Sequence, residues 1–119
     1  MKTPGQIKSE LEQFCGTENY YKYMNIMFTD GIKHLADTCE CYWLLSVVAS
    51  WQADSRVKQE EFQVFKLQVH EDKTAIITIE DGNGSVVAVQ TLDYTDFCLD
   101  EIVLWYSSVD RILYLPSEH

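Results

Sequence analysis

Two cysteines flank a glutamate in Cys39-Glu40-Cys41, and His34 lies just upstream. Thiolates and an imidazole are ligands for zinc, which draws on cysteine pairs set further apart and on four donors in all. Here a single residue separates the pair, no second pair exists, and Cys15 or Cys98 would have to complete the set. A dithiol redox motif needs two intervening residues. The spacing therefore predicts a junction between two helices. Thr38 or Cys39 would cap the second helix, and Cys41 would face the core as a small apolar residue.

Asp30 and His34 are four apart, and on a helix they share a face. A carboxylate beside an imidazole can move protons. With Glu118 they form the alternative candidate site, that of a small enzyme or small-molecule binder. A nucleophile would have to come from Cys39, Cys41 or Ser46. The commoner roles are a helix cap for Asp30 and an ordinary surface or half-buried imidazole for His34. Asp93, Asp96 and Glu118 offer oxygens to a hard cation, but without the spaced loop that calcium sites use. In Tyr94-Thr95-Asp96-Phe97 the turn reading has both aromatics packed down, with Asp93 and Asp96 bonding free backbone amides. No metal and no cofactor is predicted. Asp81-Gly82-Asn83-Gly84 lacks the Lys-Ser/Thr of a phosphate loop and opens no helix.

The elements that position these residues follow from periodicity. Pro4 and the following "IKSELEQF" predict a short helix ending near Gly16. Residues 17–28 give no clear element. Thr29-Asp30-Gly31 is a helix start. Trp43, Leu44, Val47, Val48 and Trp51 mark one face of a further, buried helix. From residue 61 the period becomes two. "FQVFKLQVH", "TAIITIE", "SVVAVQTL", "EIVLWYS" and "RILYLP" read as five strands, with a hairpin at "DGNG". The expected fold is α+β: about three N-terminal helices on one face of a five-stranded antiparallel meander, in a single domain over residues 1–119.

Composition narrows the function classes. An apolar content of 46% excludes a disordered chain. The N-terminus has no apolar core of signal type, and the apolar run 41–51 is about half of the roughly 20 residues a membrane span needs. These features predict a cytoplasmic protein with reduced thiols, in which Asn83-Gly84-Ser85 is only a turn. The formal charge is −10, with eight acids and six bases in residues 1–60 but eleven acids and three bases in 61–119. That balance opposes direct nucleic-acid binding, which rests on Lys and Arg. The aromatic run Tyr20-Tyr21-Lys22-Tyr23 lacks the interleaved bases of a stacking platform.

The segments "GTENYY", "FTDGIKHLAD", "YWLLSVVASWQ", "FQVFKLQV", "DGNG", "YTDF" and "LPSEH" occur in that order. From about Gly16 to His119 the chain resembles a family of small bacterial proteins of unknown function, also carried on phages and plasmids. In that family's pattern the phenylalanine of YTDF is usually followed by proline, where Cys98 stands here. "TCEC" replaces smaller residues before YWLL. The resemblance implies one compact domain and assigns no activity.

Tracing the expected meander brings the 70–73 turn and the 93–101 loop to one end of the sheet. Glu71, Asp72, Asp93, Asp96, Asp100 and Glu101 would share that rim, with Lys73 the only base. Strand ends and turns are where acids ordinarily go. A rim of six is also what a surface docking on a basic groove requires. The expected function is therefore a non-enzymatic acidic interaction protein with a basic protein partner. The mobile-element resemblance extends this to inhibition of a nucleic-acid-handling defence complex. Oligomeric state is left open.

Overall fold

The computed structural model describes residues 2–119. Helix α1 spans Pro4–Glu12. Thr3 caps it: its hydroxyl accepts from Gln6 N at 3.2 Å, and Gln6 Oε1 accepts from Thr3 N at 2.9 Å. Pro4 supplies the first helical position, where no N–H is needed. Ile7 and Leu11, four apart, are its buried residues.

Residues 17–28 contain a hairpin. Strand β1 (Tyr20–Tyr23) pairs antiparallel with β2 (Ile26–Thr29). The reversal falls at Met24-Asn25, where Met24 takes a left-handed φ of 53° without being glycine. Thr29 ends β2 and caps α2 (Asp30–Thr38), its side chain accepting from Ile32 N at 3.4 Å. A second left-handed residue, Glu40 (φ 52°), breaks the chain before α3 (Tyr42–Trp51). Cys41, not Thr38 or Cys39, occupies the position before α3, and its side chain makes no capping bond. The thiol is buried, as expected, and lies 3.7 Å from Leu35 O. A short α4 (Ser55–Lys58), capped by Asp54, was not anticipated.

The five expected strands are present as β3 (Phe62–Val69), β4 (Ala75–Asp81), β5 (Val86–Leu92), β6 (Glu101–Ser107) and β7 (Ile112–Tyr114). The chain ends in a 3-10 turn, η1 (Pro116–Glu118). The sheet itself is not the expected meander. It has seven strands in the order β1-β2-β7-β6-β3-β4-β5. β6 does not lie beside β5; it crosses back and pairs antiparallel with β3, from Phe62↔Ser107 to Gln68↔Glu101. β7 lies inside the sheet, antiparallel to β6 and parallel to β2 through Met27↔Ile112 and Phe28↔Leu113. The sheet is thus mixed, and four helices accompany it rather than three.

The core lies on one face. Phe65, Leu67, Ile77, Ile79, Leu104, Tyr106 and Leu113 project there with Ile32, Leu35, Leu44, Leu45 and Val48 of α2 and α3, all at most 2% exposed. Two buried amides join the layers. Gln52 Nε2 donates to Gln63 Oε1 at 2.7 Å, and Gln63 Nε2 donates back to Gln52 Oε1 at 3.0 Å and to Val57 O at 2.9 Å. The alternate strand residues, including Val64, Lys66, Thr78, Val89 and Val103, face away from the core and are half-buried or exposed.

Candidate functional site

The β5–β6 crossover passes the end of β3 and β4. That path brings the two acidic bends together even though the strand order differs from the meander. Thr95 N donates to Lys73 O at 2.9 Å, and Val69 N donates to Asp100 O at 2.8 Å. Within the 70–74 turn, Asp72 Oδ1 accepts from Thr74 N at 3.1 Å and from Thr74 Oγ1 at 2.6 Å. The Thr74 hydroxyl is the main reason that the Asp72 carboxyl is held below its ordinary range. Lys73 adopts a left-handed φ of 71°, which closes the turn.

The crossover is anchored by apolar side chains. Phe97 and Leu99 are buried, and Trp43 meets Phe97 edge-on with ring centroids 6.3 Å apart. Thr95 Oγ1 accepts from the Phe97 amide at 3.2 Å, a bond of the kind that the turn reading gave to Asp93 and Asp96. Tyr94, also expected to pack down, is instead 70% exposed. Cys98 forms a disulfide with Cys39, so these two thiols are not free as expected. The bond ties the crossover to the α2–α3 junction.

Glu71, Asp72, Asp93, Asp96, Asp100 and Glu101 are all exposed around this end. Lys8 of α1 reaches Asp100 at 3.2 Å and lowers its pKa. Among the described residues, Glu71, Asp93, Asp96 and Glu101 make no ion pair. Beside Asp96, a cleft of about 250 Å³ is lined by Trp43, Leu92, Tyr94 and Thr95. Indole and phenol faces next to a carboxylate form a setting for a cationic side chain. No periodicity signals this cleft, because Trp43 comes from α3, Leu92 from the end of β5 and the remainder from the crossover.

Asp30, His34 and Glu118 are engaged separately. The Asp30 carboxylate accepts from Glu18 N at 3.0 Å, Asn19 N at 3.3 Å and Tyr21 Oη at 2.9 Å. These bonds, the Glu18 amide foremost, hold its pKa down. His34 turns to α1, with Nε2 2.9 Å from Glu10 Oε1. Glu118 binds the start of α2: Oε1 accepts from Thr29 Oγ1 at 2.6 Å and Oε2 from Gly31 N at 3.2 Å. Asp30 and His34 share a helix but not a partner.

Among the described residues no three His, Cys, Asp or Glu side chains are grouped as a metal ion requires. No helix among them is long and apolar enough to cross a membrane.

No curated protein and no solved structure matches this chain. A family model does, over residues 5–119: the chain belongs to a protein family of unknown function, DUF6876.

Proposed function

We propose that this protein is a non-enzymatic interaction protein whose acidic sheet end docks on a basic protein partner. The observation that carries the reading is the Thr95 N–Lys73 O bond, which fixes the two acidic bends to each other. Exposed carboxylates held on a rigid edge keep their spacing, so a cationic surface meets a preformed pattern. The cleft between Trp43, Tyr94 and Asp96 gives that edge one place where an arginine or lysine from the partner inserts. A partner groove that handles nucleic acid has the matching sign. Occupying it would block the nucleic acid, and the resemblance to bacterial phage- and plasmid-borne proteins makes a defence complex the fitting target.

The test is capture of partners on the intact protein at two salt concentrations. A basic partner held at low salt is released at moderate salt, because exposed ion pairs are screened. The double variant Asp93→Asn/Asp96→Asn retains the fold and loses the partner. Retention that is indifferent to salt and to this double variant removes the proposal.

A further inference from the structure

The backbone of β6 is only partly used by its neighbours. Val69 N donates to Asp100 O, and Ser108 N donates to Glu61 O. In an antiparallel pair the residues that exchange bonds alternate. The β3–β6 register therefore assigns Ile102, Leu104 and Tyr106 to β3. Glu101, Val103, Trp105 and Ser107 aim their N–H and C=O groups the other way, toward β7. β7 pairs with Trp105, Tyr106 and Ser107 only. Continued by the same register, residues 116 and 118 would stand opposite Val103 and Glu101. They do not: Pro116 has no N–H to give, and η1 turns aside. Glu118 folds back onto Leu115 N at 3.0 Å and onto the start of α2.

An unpaired stretch of edge is thus left inside the sheet, and a groove of about 550 Å³ runs along it. Leu11, Ile102, Leu115 and Pro116 give the groove an apolar floor. Two lysines and two glutamates line its walls. Lys8 is engaged by Asp100 at 3.2 Å and Lys66 by Glu80 at 3.1 Å. Glu12 and Glu101 have no cationic partner among the described residues. The charge that the groove presents to a ligand is therefore negative.

We infer that this groove is a strand-addition site for an extended basic peptide segment of a partner protein. The segment occupies the place that β7 vacates. It exchanges main-chain bonds with Glu101 and Val103, points apolar side chains toward Leu11 and Leu115, and sets Lys or Arg beside Glu101 and Glu12. Such a mode takes affinity from the backbone and selectivity from alternate side chains. The site shares Glu101 with the acidic rim, but it stands on strand register and goes beyond the rim reading.

The probe is the blocked peptide Lys-Val-Lys-Val-Lys-Val-Lys, added to the intact protein and followed by amide hydrogen exchange. In the free protein the Glu101 and Val103 amides exchange quickly while those of Ile102 and Leu104 are protected. With peptide, exchange at Glu101 and Val103 slows by about tenfold or more. Val103→Pro deletes a donor that β3 does not use, so the fold is kept and the protection of Glu101 by peptide is lost. If that variant fails to fold, Glu12→Lys/Glu101→Lys serves instead, weakening the lysine peptide and favouring its glutamate counterpart. The inference is overturned if the peptide protects only the outer edges β1 or β5, or leaves every amide unchanged. It is also overturned if the same two amides are protected by self-association without peptide. Peptide binding abolished by Asp93→Asn/Asp96→Asn but untouched by Val103→Pro puts the ligand on the rim, sinking the groove and leaving the rim reading intact.

Discussion

Gly31 and Glu118 meet at the first turn of α2, where the glycine N–H donates to Glu118 Oε2 at 3.2 Å. A carboxylate at a helix N-terminus satisfies free amides and complements the helix dipole. The contact leaves no room for a side chain on Gly31. A Cβ there would lie 2.7 Å from Glu118 Oε1 and 2.7 Å from Leu115 Cδ1. Gly31→Ala is expected to lower stability by about 2–3 kcal/mol, since the C-terminal turn must lift off α2. Glu118→Gln fits without a clash and should cost about 1–2 kcal/mol, for the lost charge and a lost acceptor. Urea unfolding of the two variants checks both the order and the size. If Gly31→Ala is neutral, the C-terminal turn is not docked as described.

The Gln52–Gln63 pair makes a second expectation. Both amides are buried, at 8% and 0% exposure, and each donates to the other. Removing one leaves the other with unmet polar atoms in the core. Gln63→Leu should therefore cost about 2–3 kcal/mol. Gln52→Leu should cost somewhat less, because Gln63 keeps Val57 O and Glu60 O as acceptors. The double variant should be less damaging than the sum of the two by about 1 kcal/mol or more. Additive costs would show that the amides do not act as a pair.

The thiols sort by position. Cys15 is exposed and Cys41 is buried, with burial pushing the Cys41 pKa up to about 12. A thiol reagent should modify Cys15 at once and Cys41 only on unfolding. Cys39 and Cys98 should react only after reduction. Their bond closes a sequence separation of 59 residues. On chain-entropy grounds its removal by Cys39→Ser/Cys98→Ser costs about 4 kcal/mol. The loss should concentrate at residues 93–100, which hydrogen exchange can localise. Labelling of three or more thiols in the native, unreduced protein would contradict the pairing.

The strands from residue 62 onward were legible because burial alternates along most of β3 and β4 and "DGNG" marks the β4–β5 hairpin. There Asp81 Oδ1 accepts from Asn83 N and Ser85 N, and Gly84 takes a φ of 86°. The β1–β2 hairpin was not legible. Its reversal at Met24-Asn25 lacks the glycine that such turns usually carry. Strand order was illegible for a different reason. An eight-residue crossover after Leu92 can reach either the next position or the far side of β3, and local periodicity does not choose between them. Placing β7 beside β2 depends on contacts more than eighty residues apart, such as Phe28↔Leu113. The two acidic bends were correctly expected to share one end because strand direction survives the change of order. The cleft at Trp43 and the bare β6 edge were missed because each arises between segments distant in sequence.

Acid stability tests the carboxylates that the fold itself engages. Asp30, Asp37, Asp72 and Asp100 all have pKa values lowered from 3.8. The leading causes are the Glu18 amide, the Lys33 ammonium, the Thr74 hydroxyl and the Lys8 ammonium respectively. A folded-state value below the unfolded one means that the unfolded chain takes up protons first. The stability contributed by these groups is complete above pH about 3.8 and is lost as pH falls through the folded values. Partial relief of the −10 net charge on acidification works in the opposite direction. The two effects separate by salt. Repulsion and the lysine pairs are screened, whereas the bonds from Glu18 N, Asn19 N and Tyr21 Oη to Asp30 are not. At moderate salt, the denaturation midpoint should therefore still fall steeply below pH 4, and Asp30→Asn should flatten that fall while leaving the pH 4–7 range level. An unchanged slope in Asp30→Asn would mean that Asp30 does not hold the 17–19 loop against α2.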